Sequence, residues 1–428
     1  MESNMKLIFA LPLLAAFALA SDESDTVLAR TKERILDRAK QLPNYTCIET
    51  VDRSYYVPQE RPRVDLPCNQ RRPEKLLLQA ADRLRLEIKV SDGGEIGSWP
   101  GATQFDSRDI MQLAGGGAFG TGPLGTLLVD VFGNPGVTFT FQREEDKLFA
   151  FQFVVPLSTS HYYIQAWGNW KPVAYDGTAW IDPATFDLRR IRVRTQELPP
   201  ETEACYSTSS VEYEHTHLGS SDFLAPLRST LHFFMRDGTE NETSTAYSQC
   251  HEFHVESTLH FDDRVESPAE TKPEAPRPPL PAGLAIALAF SSPIDSSSAA
   301  AGDVVPATTR KAVVDPKSSQ VLIPAGAAVE ARITSMRQGK LSPGYVLIAL
   351  LLERFQTGGA WTPLFAALDV KDQVENDRRM LALRGANIAL PTGQRANTAL
   401  LFFPASKNGH VVPRGFQSNW VTTAPAKR

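Results

Sequence analysis

The sequence predicts a mainly β protein of α+β type. A curved antiparallel half-barrel sheet with one N-terminal helix comes first, followed by a second, small all-β barrel or sandwich domain. Three observations predict this. Apolar residues show one strong helical period, near the N-terminus, and recur at period two in most runs after it. Turn residues punctuate those runs at short intervals. A proline-rich stretch, ESPAETKPEAPRPPLPA at 266–282, reads as an extended linker between two regions that are each rich in aliphatic and aromatic residues.

The chain of 428 residues opens with Lys6, an apolar stretch from Leu7 to Ala18, and Ala18-Leu19-Ala20 ahead of an acidic segment. That order is the pattern of an export signal, so residues 1–20 are expected to be a signal peptide and the mature chain to be periplasmic or extracellular. No later stretch is apolar for the ~18 residues of a membrane span, so no transmembrane segment is expected in the mature chain. The domains expected are 21–265 and 283–424, either side of the linker. In the first, SDTVLARTKERILDRAKQL carries Leu28, Ile35, Ala39 and Leu42 at helical spacing, with Ser24 or Asp25 as N-cap and Pro43 as stop.

Strands follow. RLRLEIKV sets Leu84, Leu86, Ile88 and Val90 on one face, and VTFTFQ does the same for Val137, Phe139 and Phe141. FAFQFVV aligns Phe149, Phe151, Phe153 and Val155, and LRRIRVR places Leu188, Ile191 and Val193 among arginines. Tyr175-Asp176-Gly177 and Arg236-Asp237-Gly238 read as turns. Beyond the linker, LAIALAFSSPI, AGDVVPATTRKAVV, QVLIPAGAAVEARITSM and YVLIALLLERFQ read as strands and turns, and the tail LLFFPASKNGHVVPRGFQSNWVT adds two more strands.

Four cysteines in a chain expected to be exported imply two disulfides, and Cys47–Cys68 with Cys205–Cys250 would each join neighbouring strands. A net charge of −5 offers no basic field for nucleic acid, so no nucleic-acid partner is expected. Glycine-rich Gly115–Gly125 contains no lysine and has no βαβ context, so it reads as a flap or connector, not a phosphate loop. The TGPLGTLLVDVFG that follows should form a short helix laying Leu124, Leu127, Leu128 and Val131 on apolar surface.

His215 and His217 would share a strand face, whereas His251 and His254 would point apart, so no metal and no cofactor is expected. There is no H-E-x-x-H, no G-x-S-x-G and no C-x-x-C, and the reading is not an enzyme. The remaining signal is aromatic. Tyr162, Tyr163, Trp167 and Trp170 cluster in HYYIQAWGNW, with Trp180 beyond and Phe149, Phe151 and Phe153 before. These either line an apolar cavity or form the core beneath the helix. The candidate cavity residues are Phe149, Phe151, Phe153, Tyr163, Trp167, Trp180, Leu124 and Leu127.

LPNYTCIETVDR after a helix, GGGAFGTGPLGTLL, and YDGTAWIDPATFDLRRIRV together resemble a group of exported bacterial proteins of unknown function, over about residues 25–262. That group resembles the lipoprotein-carrier (LolA-like) fold, which implies a half-barrel whose aromatic-lined cavity can hold acyl chains. Over 283–372, GDVVPA before the VLIPAGA turn and the strand that follows resemble the periplasmic β-barrel domain of TrbI-like scaffold proteins. The expected function is non-enzymatic binding of a hydrophobic ligand or lipidated partner. The alternatives are a structural or interaction module of an envelope assembly, or a hydrolase without a recognisable motif.

Overall fold

The computed structural model describes residues 12–41, 44–60, 67–70, 75–91, 94–102, 113, 115, 120, 126–166, 169–218, 221–252, 279–383, 388, 397–406 and 409–425. Helix α1 spans Pro12–Gln41, so it starts within the segment expected to be a signal. Strands β1 (Tyr45–Pro58), β2 (Leu76–Ser91) and β3 (Gly94–Ser98) follow, then α2 (Thr126–Phe132), then β4 (Thr138–Glu145) and β5 (Leu148–Val155). Next come β6 (Tyr163–Ala166), β7 (Asn169–Pro172), β8 (Tyr175–Ile181), β9 (Leu188–Thr195), β10 (Ala204–Leu218), β11 (Ser221–Met235) and β12 (Glu240–Glu252). The protein is mainly β with an N-terminal helix. Among the described residues, no helix is long and apolar enough to cross a membrane.

Strands of this region pair antiparallel in the order β4-β5-β8-β9-β10-β11-β12-β1-β2-β3. The order is a meander except where β12, far along the chain, returns to pair with β1. Period two holds as expected: Leu84, Leu86, Ile88 and Val90 are all buried, as are Leu188, Ile191 and Val193. Tyr175-Asp176-Gly177 is not a turn but the start of β8. Gly177 lies in the strand because a Cβ there would meet the Arg192 carbonyl and the Phe153 ring within 3 Å. Arg236-Asp237-Gly238 does make the turn between β11 and β12.

The helix packs on one end of this sheet. Val27 and Ile35 join Phe151, Phe153, Ala179, Ile191 and Val193 in one buried cluster. The buried helical face runs through Ser24, Val27, Thr31 and Ile35, so Ala39, expected inside, is exposed. Leu42 lies outside the described residues. Thr31 donates to the Phe186 carbonyl, and Arg38 bonds buried Asp187, which His215 also contacts at 3.0 Å. Burial would push the Asp187 carboxyl up, but the His215 and Thr185 hydrogen bonds and the Arg34 charge hold it below the usual range.

The C-terminal strands are β13 (Ala285–Phe290), β14 (Ile294–Asp295), β15 (Val304–Thr309), β16 (Val313–Val314), β17 (Val321–Ile323), β18 (Ala328–Gly339) and β19 (Gly344–Thr357). After them come β20 (Ala360–Pro363), β21 (Ala366–Leu368), helix α3 (Val370–Ala382), β22 (Ala399–Ala405), β23 (Val411–Val412) and β24 (Gln417–Thr422). Pairing runs β13-β15-β18-β19-β20, and β21 then pairs with β24, which returns to β13. Because β20 and β21 are consecutive along the chain, this ring closes into a barrel. Helix α3 was not expected from the sequence. Its N-cap, Asp369, accepts from the Lys371 amide, and Asn376 holds the Phe402 amide at 3.1 Å.

The two regions share a sheet and a core. Asp82, Ala81 and Ala80 pair with Arg337, Gln338 and Gly339, and Leu84 bridges Ala301. One buried cluster runs from Val51, Leu86 and Ile88 into Ile333, Ile348 and Trp420. Buried Arg332 pairs bidentately with Glu353 at 2.6 and 3.0 Å and donates to the Gly302 and Pro100 carbonyls. Arg85 pairs with Asp303 across the same junction. Residues 253–278, most of the proline-rich segment, lie outside the described residues.

The two disulfides are Cys47–Cys250 and Cys68–Cys205, which corrects the expected pairing. The reason is topological. β1 has β12 as a direct neighbour, and a register shift between Thr46 and Ile48 brings Cys47 and Cys250 to a Cα separation of 4.1 Å. Cys68 sits in a 3-10 turn after β1 and reaches the start of β10.

Candidate functional site

One face of the long sheet carries three kinds of residue. At the β4–β9 end it is apolar and lies under α1 and α2. On β1 and β2 it carries Cys47, Val51, Leu84, Leu86 and Ile88, with buried Glu49 and Arg53 among them, and continues into the core shared with the barrel. Between these, on β10, β11 and β12, the same face turns to hydroxyls. Val211 pairs with Ser229 and Ser229 with Thr245, while Ser209 pairs with Leu231 and Leu231 with Thr243. Phe233 opposite Asn241 makes the next row. This stretch, through Ser209, Ser229, Leu231, Thr243 and Thr245, belongs to neither of these core clusters.

What it meets is a cavity of about 780 Å³, within the range of ligand pockets. Its floor is the hydroxyl-bearing stretch of β10–β12. Leu127 and Asp130 of α2 form one wall, and His161, Tyr162 and the β6–β7 hairpin form another. The hairpin stands outside the main sheet, and its Tyr163 and Trp170 line the cavity while each remains 48% exposed. Val173 donates to the Tyr162 carbonyl, Ser160 to the Val173 carbonyl, and Lys171 pairs with Glu201 at 2.7 Å, which anchors the hairpin base.

Asp130 organises the α2 wall. It is 8% exposed, accepts from the Tyr175 hydroxyl at 2.6 Å, and lies 2.7 Å from His161 Nδ1. Burial pushes the Tyr175 hydroxyl up, and its bond to Asp130 pushes it further. The Tyr162 hydroxyl is likewise raised by burial. Among the described lining residues, Asp130 and His161 are the only acid and the only histidine, and no lysine or arginine lines the cavity.

The structure separates the candidate residues. Tyr163 and Leu127 line the cavity. Phe151 and Phe153 are core beneath the helices, and Phe149 packs against that core. Trp180 belongs to the opposite face, where Arg190 and Arg192 lie over its ring at 4.1 and 5.5 Å and its Nε1 donates to Glu145. Trp167 and Leu124 lie outside the described residues, as does most of Gly115–Gly125. The short helix runs Thr126–Phe132, with Leu128 and Val131 buried and Leu127 half-buried toward the cavity.

His215 serves Asp187, and His251 contacts Thr46 at 2.9 Å. Among the described residues, no group of three or more His, Cys, Asp or Glu could hold a metal. The sequence reading missed the floor and the Asp130–His161 pair. Its available signal was the alternate Ser and Thr in YSTSSVEY, STLHFF and ETSTAYS, which reads equally well as a solvated outer face.

No protein-family model, curated protein or solved structure matches the chain.

Proposed function

We propose that this is an exported, non-enzymatic protein that binds a hydrophobic ligand or the lipid moiety of a partner in the cavity over β10–β12. The observation that carries the reading is the cavity itself, open between two core clusters on one sheet face and lined by Leu127, Ile164, Leu231, Phe233 and Met235. Burying an alkyl chain there would contribute about 0.8 kcal/mol per CH₂, before the costs of association. The acyl-chain expectation comes from the carrier-like resemblance of the sequence alone. Two disulfides support an oxidising compartment, in line with the N-terminal export pattern.

The test is titration of the purified protein with an environment-sensitive fluorescent acyl probe. Saturable one-to-one binding, weakened by Leu127→Asn, is expected. A linear, non-saturating response that the substitution does not change would contradict the proposal.

A further inference from the structure

The outer face of the sheet, opposite the cavity, carries a row of arginines that the binding proposal does not use. In LRRIRVR the alternation that buries Ile191 and Val193 turns Arg190, Arg192 and Arg194 to the other side of β9. Their guanidiniums lie over aromatic rings, Arg190 and Arg192 over Trp180 and Arg194 over Tyr206 at 4.6 Å. Stacking fixes the plane of each guanidinium and leaves its N–H edge for a partner. Arg192 and Arg194 are exposed, and Arg190 is half-buried. Among the described residues, none of the three makes an ion pair or a side-chain hydrogen bond.

Register sets the neighbours of this row. Asp176 on β8 lies opposite Arg194 and Glu212 on β10 lies opposite Arg190, while Arg192 lies between Thr178 and Ser210. Glu145, near Arg190, already accepts from Trp180 Nε1 and from Arg143. Three arginines thus face two carboxylates, and the central guanidinium is flanked by hydroxyls alone. Such a centre suits a carboxylate, which the guanidinium holds bidentately with the hydroxyls as further donors. Same-face residues of a strand repeat every ~6.6–6.8 Å, and so do those of an extended peptide laid along it. β9 is paired on both sides, so the peptide meets the row through side chains and adds no strand. Trp180 is 5% exposed beneath the arginines, so this row offers no Trp180 ring for insertion into a bilayer. From the spacing and the stacked, unpaired guanidiniums, we infer that this face binds an extended acidic segment of a protein partner, with carboxylates at alternate positions.

The experiment follows the fluorescence anisotropy of two labelled heptapeptides of one composition, TETETET and TTEEETT, as the full chain is titrated in at low ionic strength. Extended, the first presents three carboxylates on one face and the second presents two. TETETET is expected to saturate, to bind about three- to fivefold more tightly than TTEEETT, and to weaken as salt is added. Arg192→Gln, an exposed change that leaves Arg190 over Trp180, is expected to weaken TETETET about threefold, and R192Q/R194Q to remove the preference between the peptides. Absence of saturable binding, equal binding of the two peptides, or binding that Arg192→Gln leaves unchanged overturns the inference. So does a heparin tetrasaccharide that binds more tightly than TETETET and depends on Arg192, which assigns the row to an anionic glycan.

Discussion

Replacing Cys47 and Cys250 together by alanine tests the architecture of the long sheet, because that disulfide staples the point where the meander closes on itself. The two residues are 203 positions apart, and Cys68–Cys205 spans 137 positions inside that interval. With the inner link intact, the chain path closed by Cys47–Cys250 shortens by the inner span, to about 66 residues. The loop-entropy relation gives about 4 kcal/mol at 25 °C for a loop of that size. Cys47 is 1% exposed and packs in the shared core, so alanine there also leaves a small void. The assay is urea denaturation followed by circular dichroism, wild type against C47A/C250A. The expected loss is about 4 kcal/mol, and non-reducing peptide mapping of the wild type should recover Cys47 linked to Cys250. A loss below about 1 kcal/mol, or a Cys47–Cys68 peptide, would refute both the pairing and the β1–β12 contact behind it.

Other substitutions probe the junction, the two aromatic roles and two carboxylates. Gly302 has φ +104, and a Cβ there would come within 2.2 Å of the Arg85 carbonyl, so Gly302→Ala should lower the melting temperature sharply; an unchanged value would contradict the close approach of barrel and sheet. Phe153→Ala should cost about 3–5 kcal/mol of stability, whereas Tyr163→Ala should cost under about 1 kcal/mol yet weaken probe binding; equal losses of stability would contradict the assignment of one to core and the other to cavity wall. Asp187 is held below its ordinary value, so its contribution is present above about pH 3.8 and lost as pH falls further. Asp187→Asn should therefore be less stable than wild type at neutral pH, with the gap closing in acid, as read from denaturation midpoints across pH. Glu49 has the opposite sign: burial, then Glu95, raise its carboxyl well above the ordinary value, so stability falls as pH rises past about 4.5. Glu49→Gln should remove that fall and stabilise the protein at neutral pH, and a destabilised variant would show that the charged form is favoured in the fold.

Much of the architecture was legible because burial repeats at the period of the backbone. Leu84, Leu86, Ile88 and Val90 announce a strand with one buried face from the sequence alone. Leu28 and Ile35 announce the helix, though the helix rotates to bury Thr31 and leave Ala39 outside. The disulfides were not legible, since pairing depends on which distant strand lies beside β1. The YDG segment misled because glycine serves both turns and close packing, and the ring of Phe153 against Gly177 is a tertiary fact. The candidate site was the least legible part. Phenylalanines on β5 read either as cavity lining or as core, and they are core because the helices cover that end of the sheet. The cavity floor instead uses serines and threonines whose alternation cannot say which face points inward. Asp130 and His161 lie 31 positions apart, on a short helix and a loop, with no shared motif.

The most direct test of the binding proposal is native mass spectrometry of the mature protein purified from cell-envelope extract, with extraction and identification of whatever remains bound. The account predicts a stoichiometric hydrophobic ligand that is lost when Leu127 is replaced by asparagine. A clean unliganded mass, with no lipid gained on incubation with envelope lipids, would contradict it.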